Sequence, residues 1–190
     1  MNELKQNYSK SEKEIKQRLK EFTSVKDDDV FYELCFCLLT PQSNAKKCDK
    51  AVRLLRDRDF FHKNLNPSGI LKKYTRFHNN KAKYLLDLKK NFADIKFERD
   101  FLVKNIKGLG LKEASHFLRN IGYRNFAILD RHILKNLVKF GAIDEIPKFL
   151  TAKKYLEIER KFYDFSKKVK ISMDELDLLF WSMETGEVFK

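Results

Sequence analysis

The sequence has no long run of apolar residues. None of its stretches approaches the roughly 20 consecutive apolar residues that a helix needs to cross a bilayer. The opening segment MNELKQNYSK also lacks the apolar region of a secretory signal peptide. We therefore expect an intracellular protein.

Cysteine is scarce as well. The three cysteines, Cys35, Cys37 and Cys48, show no metal-ligand grouping. Cys35 and Cys37 lie two residues apart on a predicted helix and therefore on different faces. Three thiolates cannot supply the four ligands of a Cys₄ cluster, so such a cluster is excluded.

Acidic residues are outnumbered. Lys and Arg total 40 against 27 Asp and Glu, which gives a formal charge of +13 and a pI near 9.5. This balance favours a polyanionic partner through phosphate contacts and counterion release. Charge alone does not distinguish DNA from RNA or a membrane surface. With 190 residues, of which 43% are hydrophobic, the chain can bury one core or two small lobes.

Two predicted helices meet at a glycine hairpin. Helical spacing of apolar residues precedes Lys107 and resumes after Leu111. Gly108 and Gly110 can both adopt positive φ, and they let main-chain N–H groups approach an anion. The residues predicted to contact a phosphate backbone are Lys107, Gly108, Leu109 and Gly110. An ordinary αα-hairpin is the alternative.

Two charged residues follow the hairpin. Lys112 lies in the first turn of the second helix, where its charge opposes the helix dipole. Asp130 follows the apolar run FAIL and precedes another helical pattern, so it is predicted to be an N-cap. Taken alone, a surface lysine and a capping aspartate explain both positions.

Other helix starts are predicted from capping residues. Capping boxes are predicted at Ser11 with Glu14 and at Ser172 with Glu175. The remaining predicted caps are Asp29, Ser43, and a turn and cap at His78, Asn79 and Asn80.

KGLGLKEASHFLRN followed by AILDRHIL resembles the compact 8-oxoguanine DNA glycosylase/AP lyase family of archaea and some bacteria, within the helix-hairpin-helix glycosylases. The segments ELCFCLLT, RFHNNKA, YLEIE and ELDLLFW are similar to that family too. The resemblance implies an all-α, two-lobed fold without an iron-sulfur cluster. We expect residues 30–123 to form a helical barrel ending in the hairpin, and residues 1–29 to pack with 124–190. DNA is expected in the cleft between the lobes.

The resemblance also implies the chemistry. Lys112 is the expected nucleophile, attacking C1′ and forming a Schiff base, while Asp130 opposes positive charge on the sugar. No metal or organic cofactor is needed. The expected partner is double-stranded DNA containing 8-oxoguanine, bound by a monomer that is cytoplasmic and associated with the nucleoid.

Four further residues are expected to contact the lesion or the gap it leaves. By the resemblance, Phe77 and Trp181 flank the extruded base, Lys190 at the chain end contacts it, and Gln42 fills the gap. Each has a simpler explanation: a core phenylalanine, a tryptophan packed on the other lobe, a frayed terminus and a solvated loop glutamine.

Two alternatives stay open for the function. The chemistry could act on another oxidised base, such as an oxidised pyrimidine. The hairpin could instead be a non-catalytic phosphate-binding module, with Lys112 and Asp130 serving as a surface charge and a cap.

Overall fold

The computed structural model describes residues 2–190, in which ten α-helices and no β-strand are present. The predicted all-α fold is confirmed. The helices are α1 (Asn2–Phe22), α2 (Asp28–Leu39), α3 (Ala45–Asp57), α4 (Ser68–Tyr74), α5 (His78–Asn91), α6 (Arg99–Asn105), α7 (Leu111–Asn120), α8 (Arg131–Lys139), α9 (Ala152–Val169) and α10 (Met173–Thr185). None of the helices in this range is long and apolar enough to cross a membrane.

The chain divides into two compact units. One comprises the described part of Met1–Ser24 together with Leu118–Lys190, and the other comprises Val25–Phe117. The division falls inside α7.

In the unit Val25–Phe117, helix α2 is the centre of the core. All nine residues from Phe31 to Leu39 are buried, so this helix is covered on every side. Helices α3 and α5 pack against it, and α4 packs against both of them. Phe36 of α2 meets the ring of His116 of α7 edge to face, with centroids 5.6 Å apart.

In the other unit, α10 has the central position. Helices α1, α8 and α9 all pack against it. The ring of Phe180 stacks between Phe140 and Phe162, at centroid distances of 5.6 and 6.0 Å. Tyr8 of α1 donates a 2.7 Å hydrogen bond to Glu175 Oε1 of α10.

The capping predictions have mixed outcomes. The box of Ser172 and Glu175 is confirmed at the start of α10. The box at Ser11 is wrong, because Ser11 lies inside α1. Leu4 extends the buried face of that helix a further three turns toward the N-terminus, and this burial outweighs the local start signal.

Two other caps are wrong because their side chains bind elsewhere. Helix α2 begins at Asp28, and the carboxylate of Asp29 pairs with Arg56. Asn44, not Ser43, caps α3 by accepting a hydrogen bond from Lys47 N.

Candidate active site

The predicted glycine hairpin joins α6 to α7. Gly108 has φ of +91°, and a Cβ atom there would lie 2.6 Å from the ring of Tyr84, so the turn requires glycine. Gly110 could also adopt positive φ, but it does not. Its carbonyl already accepts the N–H of Ala114, at 2.9 Å, so it forms part of the first turn of α7.

The remainder of the hairpin presents main-chain N–H groups at a helix start. The first N–H groups of any helix lack intrahelical acceptors, which makes the start of α7 suited to an anion. Lys107 is exposed on this turn, whereas Leu109 is buried and anchors it.

Lys112 lies in the first turn of α7, as the sequence predicts. Its Nζ is 2.9 Å from Oε1 of Glu113, and the lysine side chain is partly exposed while the carboxylate is largely buried. The amine therefore has a carboxylate beside it that can hold it or accept its proton.

Asp130 is the N-cap of α8, which confirms that prediction. Its Oδ1 accepts the main-chain N–H of Ile133 at 2.8 Å, and its backbone is extended, with φ −91° and ψ 179°. One carboxylate oxygen therefore fixes the helix start.

Side chains of α9 hold the extended segment that leads to Asp130. Glu159 Oε2 accepts the N–H of Ala127 at 2.9 Å. The hydroxyl of Tyr155 donates to the carbonyl of Ala127 and accepts the N–H of Leu129 at 3.5 Å. These contacts give the YLEIE segment a structural role, since it sets the backbone from which the aspartate projects.

Phe77 combines an unusual backbone with an unusual exposure. It lies at the start of α5 in the left-handed region, with φ 55° and ψ 35°, and its side chain is 53% exposed. The guanidinium of Arg76 lies 5.5 Å from the ring centroid. The predicted turn and cap at His78–Asn80 is wrong, because α5 already begins at His78. The sharp turn at Phe77 places its carbonyl so that it accepts the N–H of Lys81 in the first turn of α5.

Trp181 lies in α10 and is partly exposed. The edge of its indole meets the ring of His132 at 5.3 Å and 89°. Its Nε1 is buried and makes no hydrogen bond to any described residue. The tryptophan therefore has an aromatic partner within its own unit, and its ring nitrogen is still available as a donor.

The segment after α10 is anchored. Gly186 ends the helix with φ of +84°, and Val188 is buried. Lys190 is partly exposed. A buried valine two residues before the end disagrees with a frayed terminus.

Gln42 lies on the corner between α2 and α3. Its side chain is exposed and its φ is +54°. The corner therefore presents the glutamine outward on a backbone conformation that is uncommon for this residue type.

These positions are divided between the two units. Gln42, Phe77, Lys112 and the hairpin belong to Val25–Phe117, whereas Asp130, Trp181 and Lys190 belong to the other unit. Within the first unit, Ser43 beside Gln42 is hydrogen-bonded to Arg76 beside Phe77, with 3.0 Å between Oγ and the main-chain nitrogen. Their joint action in one site stays a prediction.

Known proteins resemble this chain along its whole length. A family model described as 8-oxoguanine DNA glycosylase matches residues 15–171. The 8-oxoguanine DNA glycosylase/AP lyase of Fusobacterium nucleatum is 44% identical, over all of this chain and 97% of its own length. The protein of that name from Methanocaldococcus jannaschii is 40% identical, over 93% of this chain and 91% of its own.

The chain belongs to the 8-oxoguanine DNA glycosylase family.

Solved structures of the family agree with this fold. The crystal structure of the Methanocaldococcus jannaschii glycosylase/lyase in complex with 15mer DNA containing 8-oxoguanine matches with a TM-score of 0.88 and 38% identity, over the full length of both chains. The Thermotoga maritima 8-oxoguanine DNA glycosylase matches with a TM-score of 0.89 and 31% identity, over all of this chain and 97% of that one. The predicted resemblance and the helix-hairpin-helix fold are confirmed.

Sequence reasoning about this family member overlooked three residues beside the predicted site. Glu113 pairs with Lys112, and His132 packs on Trp181. Lys81 is buried in α5, and burial lowers its pKa. For Lys81 a signal was present: it falls on the apolar face with Leu85 and Leu88, where a charge needs a partner. Nothing in the local pattern marked the other two.

A buried acid lies close enough to Asp130 to sense its charge. Asp177 of α10 is buried beside Arg119, whose Nη1 is 3.3 Å from Oδ2. Burial raises the pKa of Asp177 to about 7, and the charge of Asp130 adds to this increase, while Arg119 opposes it. Asp177 therefore holds a proton over a pH range in which an exposed aspartate is ionised.

The raised pKa of Asp177 should make the free energy of unfolding depend on pH, and a substitution of Asp177 should remove that dependence. Between the ordinary pKa of 3.8 and about 7, the folded chain binds the proton and the unfolded chain does not. Its contribution to the free energy of unfolding is therefore full below pH 3.8 and is lost as pH rises toward 7, with a slope of up to about 1.4 kcal/mol per pH unit. We expect urea unfolding of Asp177→Asn to lack this slope. Parallel stability curves for both proteins would contradict the assignment.

Proposed function

We propose that this chain is a bifunctional DNA repair enzyme, an 8-oxoguanine DNA glycosylase that also cleaves abasic sites. The observation that carries the proposal is the full-length match to relatives of that name, including one crystallised on DNA containing 8-oxoguanine. The formal charge of +13 suits a duplex DNA partner. We further propose that it acts as a cytoplasmic monomer on nucleoid DNA.

The proposed reaction starts with extrusion of the damaged nucleotide, because the sugar carbon cannot be reached inside the stack. The hairpin residues Lys107–Gly110 hold the strand through phosphate contacts, and Gln42 fills the gap. Phe77 and Trp181 flank the extruded base. The exposure of the Phe77 ring supports this role. The ring does not pack in the core, yet the backbone holds it in an uncommon left-handed conformation.

Lys112 then acts as the nucleophile. Its neutral amine attacks C1′ as the bond from C1′ to the base breaks, and the base leaves with a proton. The bond from C1′ to the ring oxygen O4′ then breaks, O4′ takes up a proton, and the opened sugar is held as a Schiff base on Nζ. Because a free lysine is almost wholly protonated at neutral pH, the amine must first lose a proton. The carboxylate of Glu113, 2.9 Å from Nζ, is a group within reach to take it.

Asp130 opposes the positive charge that develops on the sugar as the base leaves. Its Oδ1 accepts the capping hydrogen bond, so the cap uses one of the two carboxylate oxygens. Loss of a proton from C2′ of the Schiff base then breaks the bond from C3′ to oxygen and nicks the strand on the 3′ side of the lesion. No step requires a metal or an organic cofactor.

Borohydride trapping tests the function. Duplexes that differ only in one base would carry 8-oxoguanine, an oxidised pyrimidine or undamaged guanine. The proposal predicts a covalent adduct with the 8-oxoguanine duplex alone. An adduct on the oxidised pyrimidine instead would show that the substrate is a different oxidised base. Binding without any adduct would identify a non-catalytic module.

The chain end supplies a prediction about base recognition. We expect deletion of Lys190, or addition of a C-terminal tag, to reduce 8-oxoguanine excision far more than cleavage at a pre-formed abasic site. The reason is that an abasic site has no base to recognise, whereas the lesion offers N1–H and N2–H₂ donors suited to a carboxylate. The terminal carboxylate of Lys190 would accept these donors, and the buried Val188 lies two residues before it. Rates measured on both substrates decide the matter, and equal losses on the two would show that the chain end does not contact the base.

A further inference from the structure

Two of the residues proposed to act on DNA share a backbone conformation. Gln42 and Phe77 both have positive φ, +54° and +55°, and both side chains are exposed. Such a conformation is unfavourable for a non-glycine residue, so it persists only where the surroundings fix it. The surroundings of these two turns are therefore informative.

One buried lysine binds the corner that carries Gln42. Lys81 is 4% exposed, and its Nζ donates to the carbonyl of Leu39 at 2.7 Å, the carbonyl of Pro41 at 2.8 Å and the hydroxyl of Ser43 at 2.9 Å. A lysine ammonium has three N–H donors, and all three are used here. The positive charge also lies at the C-terminal end of α2, where it complements the helix dipole.

The same network reaches the turn that carries Phe77. The hydroxyl of Ser43 accepts the main-chain N–H of Arg76 at 3.0 Å. The main-chain N–H of Lys81 donates to the carbonyl of Phe77, also at 3.0 Å. Lys81 thus contacts both turns, with its backbone at one and its ammonium at the other.

We propose that Lys81 and Ser43 are positioning residues, a polar clamp that fixes the gap-filling corner at Gln42 relative to the base-contacting turn at Phe77. The inference rests on the proposed function, because it assumes that these two turns act on DNA. Lys81 itself is not proposed as a nucleophile. Its amine is buried and its donors are occupied, so it cannot reach a sugar.

The first test replaces the clamp residues one at a time. Lys81→Met keeps the apolar stem and removes the three donors, which leaves the buried carbonyl oxygen of Leu39 and the partly buried one of Pro41 without this partner. We expect single-turnover excision of 8-oxoguanine to fall by tenfold or more, since a misplacement of about 1 Å can cost on the order of 100-fold. Cleavage at a pre-formed abasic site, which requires no wall for the base, should fall far less.

Two further variants keep the test decisive. Lys83→Met removes the same charge from an exposed position on the same helix and is expected to leave both rates unchanged. Ser43→Ala breaks the link between the two turns while Lys81 keeps its carbonyl acceptors. It should cost about fivefold in excision, in line with one lost hydrogen bond. If Lys81→Met fails to fold, Ser43→Ala carries the test, and unchanged excision in Ser43→Ala would then overturn the proposal.

A double-mutant cycle separates positioning from general stabilisation. If Lys81 acts through Phe77, then adding Lys81→Met to Phe77→Ala should cost little beyond the loss from Phe77→Ala alone. Losses that multiply would overturn the proposal, because they would show that the lysine acts independently of that turn. Failure of the proposed function is recognised separately, by the absence of any borohydride adduct with the unmodified chain on the 8-oxoguanine duplex.

Discussion

Lys112→Gln is expected to abolish both release of 8-oxoguanine and borohydride trapping, while duplex binding stays close to that of the unmodified chain. Glutamine has no nucleophilic amine, and loss of a catalytic nucleophile costs on the order of 10⁴-fold or more in turnover. Its amide N–H can still donate to the Glu113 carboxylate that now pairs with Nζ, so the start of α7 should remain folded. The glycine hairpin and its main-chain donors are unchanged.

A matched control is available nearby. Lys104→Gln removes an exposed positive charge from the last turn of α6 and should keep both activities. Single-turnover excision, trapping and fluorescence anisotropy of a labelled duplex, measured on both variants, give the comparison. Normal excision by Lys112→Gln would show that Lys112 is not the nucleophile.

Asp130→Asn is expected to lower glycosylase turnover by about two to three orders of magnitude, in the range found when a group stabilising transition-state charge is removed. Asparagine caps a helix about as well as aspartate, so the amide oxygen should still accept the N–H of Ile133 and the loss of stability should be small. The two roles of this residue are thereby separated.

A second helix cap in the same unit serves as a control for the effect of losing a cap. Thr151 caps α9 by accepting the N–H of Lys154, and Thr151→Ala should cost about 1 kcal/mol of stability. Excision well below the melting temperature should be nearly unchanged in that variant. If Asp130→Asn loses activity only in proportion to its melting temperature, as a cap variant does, then Asp130 has no role beyond the cap.

Local hydrogen bonds explain which features were predictable. The caps at Asp130 and Ser172 involve partners three residues away, so a short stretch of sequence contains the whole interaction. The glycine hairpin is predictable for a similar reason, because the positive φ of Gly108 is a local property of the turn. The box at Ser11 has the same spacing and fails, since burial of Leu4 extends α1 past it.

The remaining errors come from partners distant in sequence. Ser43 does not cap α3 because Arg76 and Lys81 use its hydroxyl. The carboxylate of Asp29 pairs with Arg56, across 27 residues. A capping rule considers one helix end at a time and contains no term for such competition.

The role of Lys81 also depends on partners that are distant in sequence. The leucines Leu85 and Leu88 indicate an apolar helix face in this segment, and Lys81 lies on the same face one turn earlier. Its position on the apolar face was visible, but its three acceptors lie about 40 residues away and depend on how α2 and α5 pack. The shared role of Lys112 and Asp130 was predictable only through the family resemblance, because neither residue differs locally from a surface charge or a cap.

The most direct test of the account is to locate the covalent bond. Unmodified protein would be trapped with borohydride on a duplex containing 8-oxoguanine, digested with a protease and nuclease, and analysed by mass spectrometry. We expect a single modified peptide, with the reduced sugar remnant on Nζ of Lys112. A remnant on any other lysine, or on the α-amino group of the chain, would contradict it.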